Sequence, residues 1–149
     1  MMELFSPFYQ ELFAALNRGF LMSVALILPS AVGGICIGIA IGSVRVYTRP
    51  LFRRLGDAYA ALFRGTPLVV QLFILYFGLP NIGLYLSPYA AAVIGFILCS
   101  GAYQSEYVRG ALLSIRRGQY LGAYALGLTS WQTISSIVIP QAIRRALYG

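Results

Sequence analysis

The chain has 149 residues, 59% hydrophobic and 10% charged, with a mean hydropathy of +0.77, a balance that excludes an ordinary water-soluble domain and makes lipid the solvent for much of it. All eleven basic residues are arginines and only Glu3, Glu11, Asp57 and Glu106 oppose them, leaving +7; because the arginines flank apolar runs, they read as charges that orient membrane helices and not as a nucleic-acid surface. With no histidine, no nucleophile beside a base and no carboxylate cluster, neither an enzyme nor a bound cofactor or metal is expected, and Cys36 and Cys99, each in an uncharged stretch, read as packing residues.

The leading segment places Phe5, Phe8, Leu12, Phe13 and Leu16 at helical spacing. It suits either a short helix in the membrane interface or the start of the first span, and its acidic residues argue against a cleaved signal peptide. From Gly19 to Val44 no charge occurs, and 26 residues at ~1.5 Å rise are enough for a hydrocarbon core of ~30 Å, so a first span is predicted over about 19–44. Within it Ser30, Gly34, Gly38 and Gly42 recur every four residues, which bares one face for close approach of another helix.

Arg45, Arg49, Arg53 and Arg54 then form a basic segment of the kind retained in the cytoplasm, which puts the N-terminus outside. A second span is predicted over about 58–79, ended by Pro80, Asn81 and Gly83, and a third over about 88–110, with Pro88 in its first turn and Arg116 and Arg117 beyond it. The expected fold is therefore all-α, a polytopic membrane protein of three transmembrane helices with the C-terminal side inside, forming one transmembrane domain over 1–149.

The remainder is interrupted by Gly118, Gly122, Gly127 and Pro140. Gly127 suits a left-handed helix end, and Thr129 with Gln132 has capping-box spacing for a new helix through Trp131, Ile134 and Ile137. The cytoplasmic segment, about 116–140, thus reads as helix, glycine turn, helix. No loop of the GxxxxGK type is present, so any ATP is bound by another chain.

The run Phe63-Arg64-Gly65-Thr66-Pro67-Leu68-Val69-Val70-Gln71-Leu72-Phe73, followed by Tyr76-Phe77-Gly78-Leu79-Pro80, resembles the polar amino-acid uptake family of ABC permeases. The segment from Gly118 to Pro140 is similar to the permease "EAA" loop, with Ala123, Gly127, Ile137 and Pro140 matching and Leu121, Gly122 and Ile139 departing from the pattern. With Ala102-Tyr103-x-x-Glu106-x-x-Arg109-Gly110 these passages cover most of the chain from Phe63 onward.

The resemblance implies an importer in a prokaryotic inner membrane that carries a polar amino acid. Its assembly would hold two permease subunits, identical or homologous, a cytoplasmic ATPase dimer and an extracytoplasmic solute-binding protein. Gly118, Leu121, Gly122, Ala123, Gly127, Ile137 and Pro140 would form the coupling surface for the ATPase. Family members continue beyond this loop with further spans, so the chain is expected to be a C-terminally incomplete permease.

Three residues are candidates for the substrate path. Arg64 lies in an otherwise apolar stretch, where an arginine costs ~2.5 kcal/mol or more unless it faces protein or water. It reads as paired with Glu106 or Asp57, or as gripping a substrate carboxylate. Counted as straight helices at ~1.5 Å per residue, Arg64 lies ~22 Å below Leu79 and Glu106 ~27 Å below Pro88, at similar depth. Glu106 also sits three residues from Arg109, so a local bridge competes. Gln71 either joins neighbouring helices or bonds a polar solute. Tyr76, Tyr85 and Tyr89 read as an aromatic belt. The competing functions are an ABC permease for another small solute, an ion-coupled secondary transporter and a non-transporting membrane scaffold.

Overall fold

A computed structural model describes residues 2–148, with side chains for 8–144. Met1, Gly149 and the side chains of Glu3, Phe5 and Arg145 lie outside the described residues. Every regular element among them is helical.

Helix α1, Met2–Tyr47, is continuous, so the leading segment belongs to the same helix as the first predicted span and is not a separate helix. Its 46 residues reach ~69 Å, about twice a hydrocarbon core, and the stretch Phe8–Tyr47 is long and apolar enough to cross a membrane. Pro29 lies in its interior and cannot donate to the carbonyl of Ala25. The hydroxyl of Tyr89 donates to that carbonyl instead, at 2.8 Å, which is how a helix in lipid tolerates proline.

Helix α4, Pro88–Leu113, capped by the Ser87 side chain, is a helix over the residues of the third predicted span, although by length and apolarity α1 and the bent pair after it, and not α4, qualify to cross a membrane; it is the main partner of α1. The small-residue stripe makes that contact possible. A Cβ on Gly42 would stand 2.7 Å from Val108 Cβ, and Cβ atoms on Gly34 and Gly38 would overlap Ser100 and Gln104. Backbones this close gain dispersion contacts that lipid tails cannot supply.

The second predicted span is corrected. Helix α2, Pro50–Gly65, and helix α3, Leu68–Phe73, are separate, and the two halves bend by 103°. The cause is local: Thr66 precedes Pro67, whose ring drives its neighbour out of helical geometry, and Thr66 has φ −105° and ψ 130°. The predicted basic loop shrinks in turn to Thr48 and Arg49 between α1 and α2. Helix α3 continues through a wide π turn, Ile74–Gly78, and a 3-10 turn, Leu79–Ile82, to Gly83 at φ 85°. Leu72 of α3 sits against Gly95 of α4, where a Cβ would come within 2.6 Å.

The remaining elements are α5, Arg117–Ala125; α6, Ser130–Thr133; a second π turn, Ile134–Val138; and α7, Ile139–Tyr148. Gly127 has φ 78°, and Thr129 with Gln132 forms the expected capping box. Pro140, read in the sequence as an interruption, lies in the first turn of α7. The π turn ends two residues before Pro140, just as the first π turn ends two before Pro80, and a widened turn relieves the crowding between the proline ring and the carbonyl four residues back. Val138, Leu112, Ile115 and Ala142 make a small core that fastens α7 to the end of α4.

Candidate functional site

Three helices meet at a charge cluster. Arg45, in the last turn of α1, is 8% exposed, although its sequence context reads as a cytoplasmic loop. Its Nε donates to Asp57 Oδ1 at 2.7 Å, and its Nη1 donates to Glu106 Oε2 at 2.9 Å and Ser105 Oγ at 3.2 Å. Gly56 makes room for its stem: a Cβ there would come 2.6 Å from Arg45 Cγ. The signal missed in the sequence is this pairing of an arginine at a helix end with a glycine beside an aspartate on the next helix.

Arg64, in the last turn of α2, donates through Nη1 to Glu106 Oε2 at 3.1 Å. Its guanidinium carbon lies 5.6 Å from the centre of the Tyr103 ring, and 41% of its side chain is exposed. Of the two partners expected for Arg64, Glu106 is the one found, while Asp57 pairs with Arg45. Arg109 donates from Nε to Glu106 Oε1 at 2.9 Å and from Nη2 to the same oxygen. The local bridge therefore coexists with the long-range pairing, one on each carboxylate oxygen. Ser105, fully buried, donates to the carbonyl of Ala102 at 2.8 Å, which orients its oxygen towards Arg45.

Gln71, on α3, joins the neighbouring helix α2 across the bend. Its Nε2 donates to the carbonyls of Phe63 and Thr66, both at 2.9 Å, and so fills carbonyls that the end of α2 leaves without a helical partner. Its Oε1 is buried without a hydrogen bond, and the residue borders a cavity of about 200 Å³ lined also by Leu62, Phe63, Thr66, Ile74, Leu75 and Leu98. Tyr59 donates to the carbonyl of Leu98 at 2.7 Å and ties α2 across α4. Arg64 and Glu106 are thus brought together, while Gln71 serves the bend.

At the other candidate surface, Gly118, Leu121, Gly122 and Gly127 are exposed, Ile137 is half-buried, Pro140 is exposed, and Ala123 is buried. Leu126 at 82% and Trp131 at 74% stand out beside them. The segment is tied back to the bundle by the Tyr47 and Tyr120 hydroxyls, 3.0 Å apart, and by Gln141 donating to Gln119 at 3.1 Å. Tyr76, Tyr85 and Tyr89 are all at least 38% exposed at the opposite end.

A family model for the binding-protein-dependent transport system inner membrane component matches residues 34–149. The chain is 41% identical over 137 residues to the probable amino-acid ABC transporter permease protein YckA of Bacillus subtilis (strain 168), covering 92% of this chain and 61% of that protein. It is 37% identical over 134 residues to the glutamine transport system permease protein GlnP of Escherichia coli (strain K12), covering 89% and 61%. Among solved structures, an amino acid ABC transporter with histidines superposes with a TM-score of 0.80 at 29% identity, covering 97% of this chain and 66% of that one. An inward-facing MetNI methionine ABC transporter gives 0.70 at 26%, covering 86% and 62%. The chain spans 51–66% of the length of the curated relatives it matches.

Proposed function

The chain belongs to the family of binding-protein-dependent transport system inner membrane components, and from that premise we propose that it supplies the permease of an ATP-driven importer of polar amino acids. The observation that carries this reading is the likeness to amino-acid permeases over nine-tenths of the chain, together with a fold shared with importer permeases. In it, α1, the bent α2–α3 pair and α4 make up a single transmembrane domain with the N-terminus outside, in the inner membrane of a prokaryote.

The partners we assign are a cytoplasmic ATPase dimer, a second permease subunit and an extracytoplasmic solute-binding protein. Gly118, Leu121, Gly122, Ala123, Gly127, Ile137 and Pro140 form the coupling surface in this reading, and the exposed Leu126 and Trp131 extend it with apolar area suited to a protein partner. Hydrolysis is left to the ATPase, and this chain holds no cofactor. Arg64, Gln71 and Glu106 are kept as residues along the cargo path.

The test is reconstitution of the complete permease with the ATPase and binding protein encoded beside it, followed by uptake of labelled glutamine, arginine and a sulfonate. ATP-dependent uptake of an amino acid is expected. Uptake of the sulfonate alone would move the cargo class, and a membrane protein that never co-purifies with an ATPase would be a scaffold.

A further inference from the structure

The cluster at the junction of α1, α2 and α4 does not balance. Arg45, Arg64 and Arg109 bring three positive charges, and Asp57 and Glu106 bring two negative ones. Arg45 is satisfied by both carboxylates and a hydroxyl, and Arg109 chelates one oxygen of Glu106 through its Nε and Nη2. Arg64 receives the weakest share, a single bond at 3.1 Å to an oxygen already accepting from Arg45.

The Nε–Nη2 edge of Arg64, the one that Arg109 uses as a fork, has no partner among the described residues, and 41% of the side chain is open. The guanidinium carbon lies over the Tyr103 ring, 5.6 Å from its centre, within the range of a cation–π contact. A planar fork with a free edge, beside an aromatic ring and with one charge in surplus next to an apolar helix bundle, is matched to an oxyanion that accepts two parallel hydrogen bonds.

We propose that the free edge of Arg64 is a binding site for an oxyanion that presents two acceptor oxygens, with Glu106 as the internal competitor that holds the guanidinium when the site is empty. The α-carboxylate of an amino-acid cargo is one source of that chemistry, and this arm rests on the permease reading. The phosphate of an anionic lipid is the other.

The experiment follows thermal unfolding of the complete protein in neutral detergent while glutamine, glutamine amide or phosphatidylglycerol is titrated. A rise in Tm with glutamine and not with its amide identifies a solute carboxylate, and a rise with phosphatidylglycerol alone identifies lipid. In either case Arg64→Gln should raise the half-effect concentration by about tenfold or more, the loss expected of a charge-assisted pair, while Arg53→Gln on the exposed side of α2 leaves it unchanged. Glu106→Gln removes the competitor and should lower the half-effect concentration, and Arg64→Lys, which keeps the charge but lacks the fork, should raise it and decides the matter if Arg64→Gln or Glu106→Gln does not fold.

The site is refuted if none of the probes shifts Tm, if the shift survives Arg64→Gln, or if Glu106→Gln weakens binding. Because uptake is not the readout, a missing shift with ATP-dependent uptake intact rejects the oxyanion site alone. Binding retained in a protein that shows no uptake rejects the permease reading alone.

Discussion

Arg45 and Arg64 carry the same side chain, and their surroundings decide how much each stabilises the fold. Arg45 has 7% of its side chain exposed and compensates two carboxylates, so its loss takes the ion partner from Asp57 and one of three from Glu106 and leaves a gap where its buried stem packs beside Gly56. Removing one member of a buried pair typically costs ~3–5 kcal/mol, whereas a pair as open as Arg64 with Glu106 contributes only ~0–1 kcal/mol. Arg45→Ala is therefore expected to lower Tm in detergent by several degrees and Arg64→Ala by little, as differential scanning fluorimetry would show; equal losses would contradict this ranking. The sequence made Arg64 the conspicuous residue because it sits in an apolar run. Arg45 was illegible as a structural residue, since nothing before the structure indicates that α1 extends past it or that Gly56 opens a place for its stem.

The elements that could be read were those with short-range causes. The small-residue stripe of α1, the proline start of α4, the left-handed Gly127 and the Thr129–Gln132 capping box each depend on residues within four positions, and each is found. The bend at Thr66 also has a local cause in Pro67, but the apolar composition on both sides masks it as one span. Gln71 then becomes a residue of the bend. Gln71→Leu leaves the carbonyls of Phe63 and Thr66 without their donor while relieving the orphaned Oε1, so a net loss of ~1–3 kcal/mol is expected. Faster hydrogen exchange over residues 62–71, with α4 unchanged, is the measurement that checks it.

In the coupling segment, Gly127→Val places a β-branched side chain at φ 78°, a strain of ~1 kcal/mol or more that redirects α5 against α6. Membrane insertion is expected to persist while co-purification with the ATPase falls; full retention of the ATPase would place the coupling surface elsewhere.

At the scale of the molecule, the orientation proposed from arginine counts meets an independent constraint. The basic groups around Arg45 and around Arg116 lie far apart in sequence, yet the hydroxyls of Tyr47 and Tyr120 approach to 3.0 Å, so both groups sit at one end of the bundle. At the other end Tyr89 reaches Ala25, which sets the level where α4 begins beside α1. From Ala25 to Tyr47 is ~33 Å of helix, close to the hydrocarbon thickness, so the part of α1 paired with α4 is the part sized to cross. The stretch of α1 before it extends past the start of α4 and carries Phe13, Leu16, Phe20 and Leu21 outward. If the arginine-rich end faces the cytoplasm, a reporter fused before Met1 must lie outside and one after Gly149 inside. Cysteines placed at Arg49 and Arg117 should be labelled by a membrane-impermeant thiol reagent only after the membrane is opened, and a cysteine at Tyr85, 82% exposed, should be labelled in intact cells. Labelling of positions 49 and 117 from opposite sides would break the link between Tyr47 and Tyr120, and labelling of both from outside would invert the whole arrangement.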